Sequence, residues 1–168
     1  MSLIQRRIAG VTMETERLHF KIGLSGSSSK KKPEFAISID GTEHVKSTLT
    51  VGPNETEYFE FACNLDDEAE HFLEITFLNK LPGDTVVGSS GEIVEDLLLN
   101  IEHIEIDEID LSKLKWELSS YYPNYPDSYL DEEQKKITEV KRCVNLGWNG
   151  TWKLSFKCPY YMWLLENL

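Results

Sequence analysis

The sequence lacks the features of a membrane or secreted protein. No run approaches the roughly 18 consecutive apolar residues that a membrane helix needs. The first residues, MSLIQRR, contain no apolar stretch of about 7–15 residues before a cleavage site, so we expect no signal peptide. The three cysteines, Cys63, Cys143 and Cys158, form no CxxC pair, and an odd number does not suggest a disulfide framework. These absences predict reduced thiols and no membrane insertion.

Sequence motifs of the common enzyme classes are absent too. There is no GxSxG, P-loop, GxGxxG or HExxH. The four histidines (His19, His44, His71 and His103) stand singly within or beside strand patterns. Adjacent acidic pairs are expected from composition alone, because residues 33–110 hold twenty acidic side chains. We therefore predict no catalytic residues and no enzyme activity.

Basic residues are scarce in the middle of the chain. The net charge is −12, and residues 33–110 contain only Lys46 and Lys80 against their twenty acids. Such a segment repels phosphate backbones, which argues against nucleic acid as its partner. Two interpretations stay open, an affinity for a hard cation and an acidic face that keeps the protein soluble.

Period-two alternation of apolar and polar residues is the strongest structural signal. It runs through five segments: 17–23, 34–39, 58–63, 72–78 and 97–106. Turn sequences such as Asp40-Gly41 separate them, and no helical pattern of 10–15 residues intervenes. The pattern predicts a mainly β protein, an antiparallel β-sandwich of jelly-roll-like type.

The segment from Asn79 to Asp96 interrupts this rhythm. It is long for a connection in a compact domain, and such loops are usually functional or disordered. Ca²⁺ takes six to eight oxygen ligands and tolerates irregular loops. The loop offers oxygen ligands at Asn79, Asp84, Glu92, Glu95 and Asp96. We predict Asn79, Asp84, Glu95 and Asp96 as calcium ligands, and the alternative is an acidic loop in solvent.

Aromatic residues concentrate after residue 110. Eleven of the eighteen lie between Trp116 and Trp163. The segments 141–146 and 151–157 suggest a hairpin, and short helices are expected near 131–137 and after Pro159. Six of the aromatic and apolar residues fit packed positions by their spacing: Trp152, Leu154, Phe156, Tyr160, Trp163 and Leu164.

Four tyrosines in a proline-punctuated stretch are better candidates for exposure and for contact with a ligand or partner: Tyr121, Tyr122, Tyr125 and Tyr129. We divide the chain into an N-terminal arm (1–16), a β-sandwich (17–110) and an aromatic extension (111–168). The extension is expected to pack on the sandwich or to complete it.

Four segments together resemble the calcium-dependent xylan-binding carbohydrate-binding modules. They are KPEFAISIDG from Lys32, EYFEF from Glu57, HFLEITFLNK from His71 and DLLLNIEHIEI from Asp96. The resemblance covers about residues 17–110. It implies a carbohydrate-binding-module-like sandwich in which Ca²⁺ lies in the variable loop and binds two sugar hydroxyls.

Residue by residue, Asn79 falls on an asparagine of that family's pattern, Asp96 on an aspartate and Glu102 on a second aspartate. The sequence departs from the pattern at Lys80, where the family has an aspartate, and at Leu97-Leu98, where it has Arg-Asn. Two interpretations stay open: a sandwich that binds the calcium ion, and a sandwich that has kept the family's fold but lost the ion.

The C-terminal string from Leu146 to Leu168 is similar to the endings of small proteins of tailed marine bacteriophages of the cyanophage type. This resemblance implies a location in the virion or in the host cytoplasm. We therefore predict a non-catalytic, virion-associated module that binds glycan through a calcium-bearing loop. The alternative is a structural capsid, neck or tail protein without a small ligand, and either form allows a homo-oligomer.

Overall fold

The computed structural model describes the backbone of residues 2–8 and 11–168 and the side chains from Glu14 onward. In this part of the chain there are fourteen strands and two α-helices, numbered in chain order. The strands form two six-stranded antiparallel sheets and one small two-stranded ribbon. The predicted mainly β, antiparallel sandwich is therefore confirmed.

The first sheet is built around one long strand. Its members are β1 (Ser2–Ile8), β2 (Val11–Gly26), β5 (Glu57–Asp66), β9 (Leu99–Ile106), β10 (Ile109–Asp110) and β13 (Asn145–Leu146). Strand β2 pairs with β5 along most of its length, with β1 at its beginning and with β9 at its end. The segment predicted as an N-terminal arm thus contains β1 and the first six residues of β2.

The second sheet has the order β12-β11-β14-β6-β3-β4. Its strands are β3 (Glu34–Ile39), β4 (Thr42–Thr48), β6 (Ala69–Phe77), β11 (Ser119–Pro123), β12 (Val140–Lys141) and β14 (Gly150–Cys158). Strand β14 lies inside this sheet, between β11 and β6. Residues after 110 therefore supply interior strands of the sheet as well as its edge.

The hydrophobic core lies between the two sheets and contains the alternate residues of their strands. On β2 these are Leu18, Phe20 and Ile22, and on β3 they are Phe35, Ile37 and Ile39. The six residues assigned to packing by their spacing are all buried, which confirms that prediction: Trp152, Leu154, Phe156, Tyr160, Trp163 and Leu164. The last three belong to helix α2 (Tyr160–Asn167), which begins after Pro159 as expected.

Two predictions of local structure were wrong. The segments 141–146 and 151–157 do not form a hairpin, because β13 pairs with β9 of the first sheet while β14 lies in the second. The expected helix near 131–137 is only a 3₁₀ turn at Gln134–Lys136. Asp131 lies just before this turn, where its carboxylate accepts the Gln134 N–H at 2.7 Å, but no α-helix follows.

The remaining elements are short. Helix α1 (Leu114–Glu117) precedes β11, and a 3₁₀ turn at Pro82–Asp84 precedes the ribbon of β7 (Val86–Val87) and β8 (Ile93–Glu95). Another 3₁₀ turn lies at Asp127–Tyr129. With lengths of 4 and 8 residues, the α-helices of the described chain do not reach a membrane span.

Glu16 is a fully buried carboxylic acid under the start of helix α2. Both of its carboxylate oxygens lie 3.2 Å from the Tyr160 N–H that donates to them. Burial raises the pKa of Glu16, and the nearby charges of Asp67 and Asp107 raise it further, against the lowering effect of the Tyr160 bond. The ionised form therefore destabilises the fold relative to the protonated form.

A Glu16→Gln variant should be more stable than the wild type at neutral pH. A raised native pKa means that the native state binds more protons than the unfolded state, so wild-type stability falls as pH rises from the ordinary glutamate value of 4.5. Urea unfolding between about pH 4 and pH 8 should show that the advantage of the variant grows with pH. Glu14→Gln, an exposed acid on the same strand, is the control; equal pH profiles for both variants would contradict the prediction.

Candidate functional site

The four predicted calcium ligands are each bonded to protein donors. Asn79 lies at the start of the loop, where its Oδ1 accepts the Glu34 N–H at 2.8 Å and its Nδ2 donates to the Lys32 carbonyl at 3.0 Å. This side chain closes the end of β6 against the start of β3. Its two polar groups are thus engaged in holding the sandwich together.

Asp84 is bonded to a lysine and to the backbone of its own turn. Its Oδ2 accepts the Lys31 ammonium at 2.8 Å and the Leu81 N–H at 2.7 Å. Burial alone would raise the pKa of Asp84, but these two hydrogen bonds outweigh it and hold that pKa below its usual value. The Lys31 ammonium also donates to the Asn79 carbonyl at 2.7 Å.

Glu95 and Asp96 are engaged on the other side of the loop. Glu95 Oε1 accepts the Ser29 N–H at 2.8 Å and the Ser28 hydroxyl at 3.1 Å, and these bonds lower the pKa of Glu95. Asp96 Oδ1 accepts from the Lys80 ammonium, from the Thr85 hydroxyl at 2.7 Å and from the Leu97 N–H at 2.9 Å.

Protein donors therefore already bond to at least one oxygen of each candidate ligand. No group of three or more His, Cys, Asp or Glu side chains is arranged to hold a metal ion within the described residues. Lys80, the residue that departs from the resembled family's pattern, has a side chain only 1% exposed and points its ammonium at Asp96. With the Lys31 and Lys80 ammonium groups bonded to Asp84 and Asp96, the donor set does not fit a calcium ion, which those positive charges would repel.

The four tyrosines proposed for contact differ in exposure. Tyr121 is 3% exposed, so the expectation that it lies at the surface is wrong. Its hydroxyl donates to the Trp148 carbonyl and accepts the Trp148 N–H at 3.2 Å, and burial raises the pKa of Tyr121. Tyr122, Tyr125 and Tyr129 are exposed. Because β11 alternates, Tyr121 faces the core and Tyr122 faces outward.

Tyr122 begins a polar row that crosses the outer face of the second sheet. It lies opposite Thr151 of β14, which lies opposite Thr76 of β6. The two threonine hydroxyls are 3.1 Å apart and hydrogen-bonded. An open trough of about 460 Å³ follows this row, and Asn124, Asn149 and Lys153 also line it.

Lys153 places a positive charge beside this row. Its ammonium lies 5.6 Å from the centre of the Tyr122 ring and 3.7 Å from the Glu74 carboxylate. The trough therefore combines an exposed aromatic ring with hydroxyl, amide and charged groups in a shallow concavity. Sequence reasoning missed Thr76, Thr151 and Lys153, although each alternates with buried residues of its strand.

Tyr125 and Tyr129 form an aromatic cluster next to the trough. Their ring centres lie 6.0 and 5.4 Å from that of Trp148. The Trp148 indole N–H donates to the Asn124 carbonyl at 3.0 Å, which links this cluster to the lining of the trough. A second concavity of about 320 Å³ opens beside Tyr125 and Tyr129, with Ile137 and Val140 on its far side.

A cavity of about 260 Å³ brings together a histidine and a cysteine, His71 and Cys63, a pair of residue types that can act in catalysis. His71 Nδ1 lies 2.6 Å from an Asp40 carboxylate oxygen, and its Nε2 lies 2.8 Å from the Asp66 carbonyl. Burial raises the pKa of the Cys63 thiol in the same cavity to about 11, so the thiol is protonated at neutral pH. With both ring nitrogens engaged, His71 and Cys63 do not form an activated nucleophile and base.

Removal of the Tyr121 hydroxyl should destabilise the protein. A Tyr121→Phe variant leaves the buried N–H and carbonyl of Trp148 without their partner, which costs about 1–3 kcal/mol. Denaturant unfolding measures this loss, with the exposed neighbour in Tyr122→Phe as the control. Equal stability of the two variants would show that the buried hydroxyl does not stabilise the fold.

Comparison with solved structures gives a likeness in fold. One is vCBM60 in complex with galactobiose, with 11% identity, a TM-score of 0.48 and coverage of 83% of this chain and 97% of that one. Another is the selenomethionine form of vCBM60, described in connection with circular permutation between two families of calcium-dependent carbohydrate-binding modules. It has 10% identity, a TM-score of 0.50 and coverage of 82% and 89%. No protein-family model matches the sequence, and no curated protein matches it. The chain has a carbohydrate-binding-module-like β-sandwich fold.

Proposed function

We propose that this chain is a non-catalytic glycan-binding module whose binding surface is the trough on the outer face of the second sheet. The observation that carries the proposal is the row from Tyr122 through Thr151 to Thr76. A sugar ring has apolar C–H faces and a rim of hydroxyls. An exposed aromatic ring suits the faces, and neighbouring hydroxyl and amide groups suit the rim.

The shape of the trough supports the same ligand class. It is open along the sheet rather than enclosed, as a site for part of an extended chain must be. Asn124 at one end supplies an amide that both donates and accepts, and Lys153 at the other supplies a cation. Tyr125 and Tyr129 extend the aromatic surface beyond Asn124, and we propose them as further contacts.

The fold gives independent support for the ligand class. The vCBM60 structure with which this chain shares a TM-score of 0.50 is described among carbohydrate-binding modules. Calcium in the 79–96 loop stays a prediction of the family resemblance. In this chain Asn79, Asp84, Glu95 and Asp96 are bonded to protein donors, so our proposal places no ligand contact on an ion.

Exposed apolar residues favour a second candidate, a protein interaction without a small ligand. The β7–β8 ribbon presents Val87, Ile93 and Val94 to solvent, and helix α2 presents Leu165. Ile93 and Val94 are neighbours on β8, and adjacent exposed apolar side chains are a feature of surfaces that contact other proteins. A capsid, neck or tail protein of a phage, or a second copy of this chain, stays the predicted partner in this case.

Glycan binding should depend on Tyr122. The purified chain is applied to an array of oligosaccharides that includes galactobiose and xylan fragments, and the affinity for any hit is measured by calorimetry. Truncation of a central aromatic contact typically costs about 2 kcal/mol or more, so Tyr122→Ala should weaken binding by at least about tenfold.

Tyr161→Ala is the matched control, because Tyr161 lies on helix α2 and has the same 39% exposure as Tyr122. It should bind as the wild type does. Absence of any glycan hit, or equal binding by the Tyr122→Ala variant and the wild type, would refute the proposal. A stable oligomer in light scattering without a glycan hit would favour the protein-interaction alternative.

A further inference from the structure

We infer that the Lys80 ammonium group is a built-in cation of the loop between β6 and β9, so that this loop folds without calcium. The inference concerns the stability of the loop and does not rest on the glycan proposal. The supporting observations are the contacts of Lys31 and Lys80 and the hydrogen bonds that hold the backbone of Lys80 in place.

The surroundings of the Lys80 ammonium are those that a cation requires. Its side chain is almost fully buried, and its Nζ donates to Asp96 Oδ1 and, at 2.7 Å, to the Leu97 carbonyl. One partner is an anionic carboxylate and the other a backbone carbonyl, which are also the two most common kinds of oxygen ligand for a hard cation. The ammonium thus neutralises Asp96 and joins the start of the loop to its end.

The backbone of Lys80 is fixed by a residue from the other end of the sequence. The Lys80 N–H donates to Asn149 Oδ1 at 2.7 Å, and Asn149 Nδ2 donates to the Lys80 carbonyl at 2.9 Å. The Asn149 side chain thus bonds both the backbone N–H and the backbone carbonyl of Lys80. The side chain is therefore directed into the loop by the connection between β13 and β14.

A second lysine, Lys31, makes the same kind of contacts with Asp84, another acid of the loop. The Lys31 ammonium donates to the Asn79 carbonyl and to Asp84 Oδ2, again one carbonyl and one carboxylate. Two fixed positive charges thus face two of the three acids proposed as calcium ligands, Asp84 and Asp96. A divalent ion would be repelled by both, and displacement of Lys80 from Asp96 would leave a buried ammonium without an anionic partner.

The inference is tested by the thermal stability of the full chain in calcium and in chelator. Calcium sites of the weakest natural class bind at about 0.1–1 mM, so about 10 mM calcium would reveal one as a raised Tm. The wild type should have the same Tm in calcium and in EDTA. A calcium-dependent rise of several degrees would overturn the inference.

Three variants separate the ammonium from the rest of the side chain. Lys80→Met keeps the length but removes the ion-pair partner of the partly buried Asp96, so its Tm should fall by about 10 °C with or without calcium. Lys80→Asp should lose more in EDTA and recover part of the loss in calcium, because it adds a carboxylate to Asp96 and the Leu97 carbonyl. Lys46→Met, an exposed lysine on β4, is the control and should leave Tm unchanged.

Two results would contradict the inference. An unchanged Tm for Lys80→Met would show that the buried ammonium does not stabilise the loop. A Lys80→Asp variant whose Tm ignores calcium would show that the ammonium does not stand in a cation position. If Lys80→Asp does not fold in either buffer, the comparison of Lys80→Met with Lys46→Met decides the matter alone.

Discussion

The packing of the two sheets against each other, seen most clearly where Phe20 meets Phe156, is the constraint on which the rest of the structure depends. Phe20 of β2 and Phe156 of β14 have ring centres 6.0 Å apart across the core. Phe156 also contacts Trp163 of helix α2 at 6.3 Å, so the same residue fixes the C-terminal helix. Because one face of each strand is committed to this core, the opposite face of the second sheet remains free to carry the polar row.

Much of the sandwich could be predicted from the sequence, because half-buried strands leave a period of two in the order of residues. Leu18, Phe20 and Ile22 follow it without exception. The sequence does not predict which strands pair with each other. The turn signal before Gly150 is local, whereas the pairing of β13 with β9 depends on how the two sheets pack. The trough was missed for the same reason, since Thr76 and Thr151 become neighbours only through register.

The loop between β6 and β9 illustrates how the role of one residue depends on contacts from distant parts of the chain. The sequence pointed to Lys80 as a departure from a calcium-binding pattern. It did not reveal that the ammonium reaches Asp96, because that contact depends on Asn149, a residue of a distant connection. Likewise Tyr121 and Tyr122 are adjacent tyrosines before a proline, and only their places on β11 distinguish a core residue from a surface one.

We propose that glycans bind this protein at the outer face of its second sheet and not at the loop between β6 and β9. The most direct test is a titration of ¹⁵N-labelled protein, followed by two-dimensional NMR, with an oligosaccharide that the array experiment identifies as a ligand. The account predicts that the amide signals of Thr76, Tyr122 and Thr151 shift together while those of Asp84 and Asp96 stay in place. Shifts confined to Asp84, Glu95 and Asp96 would contradict it.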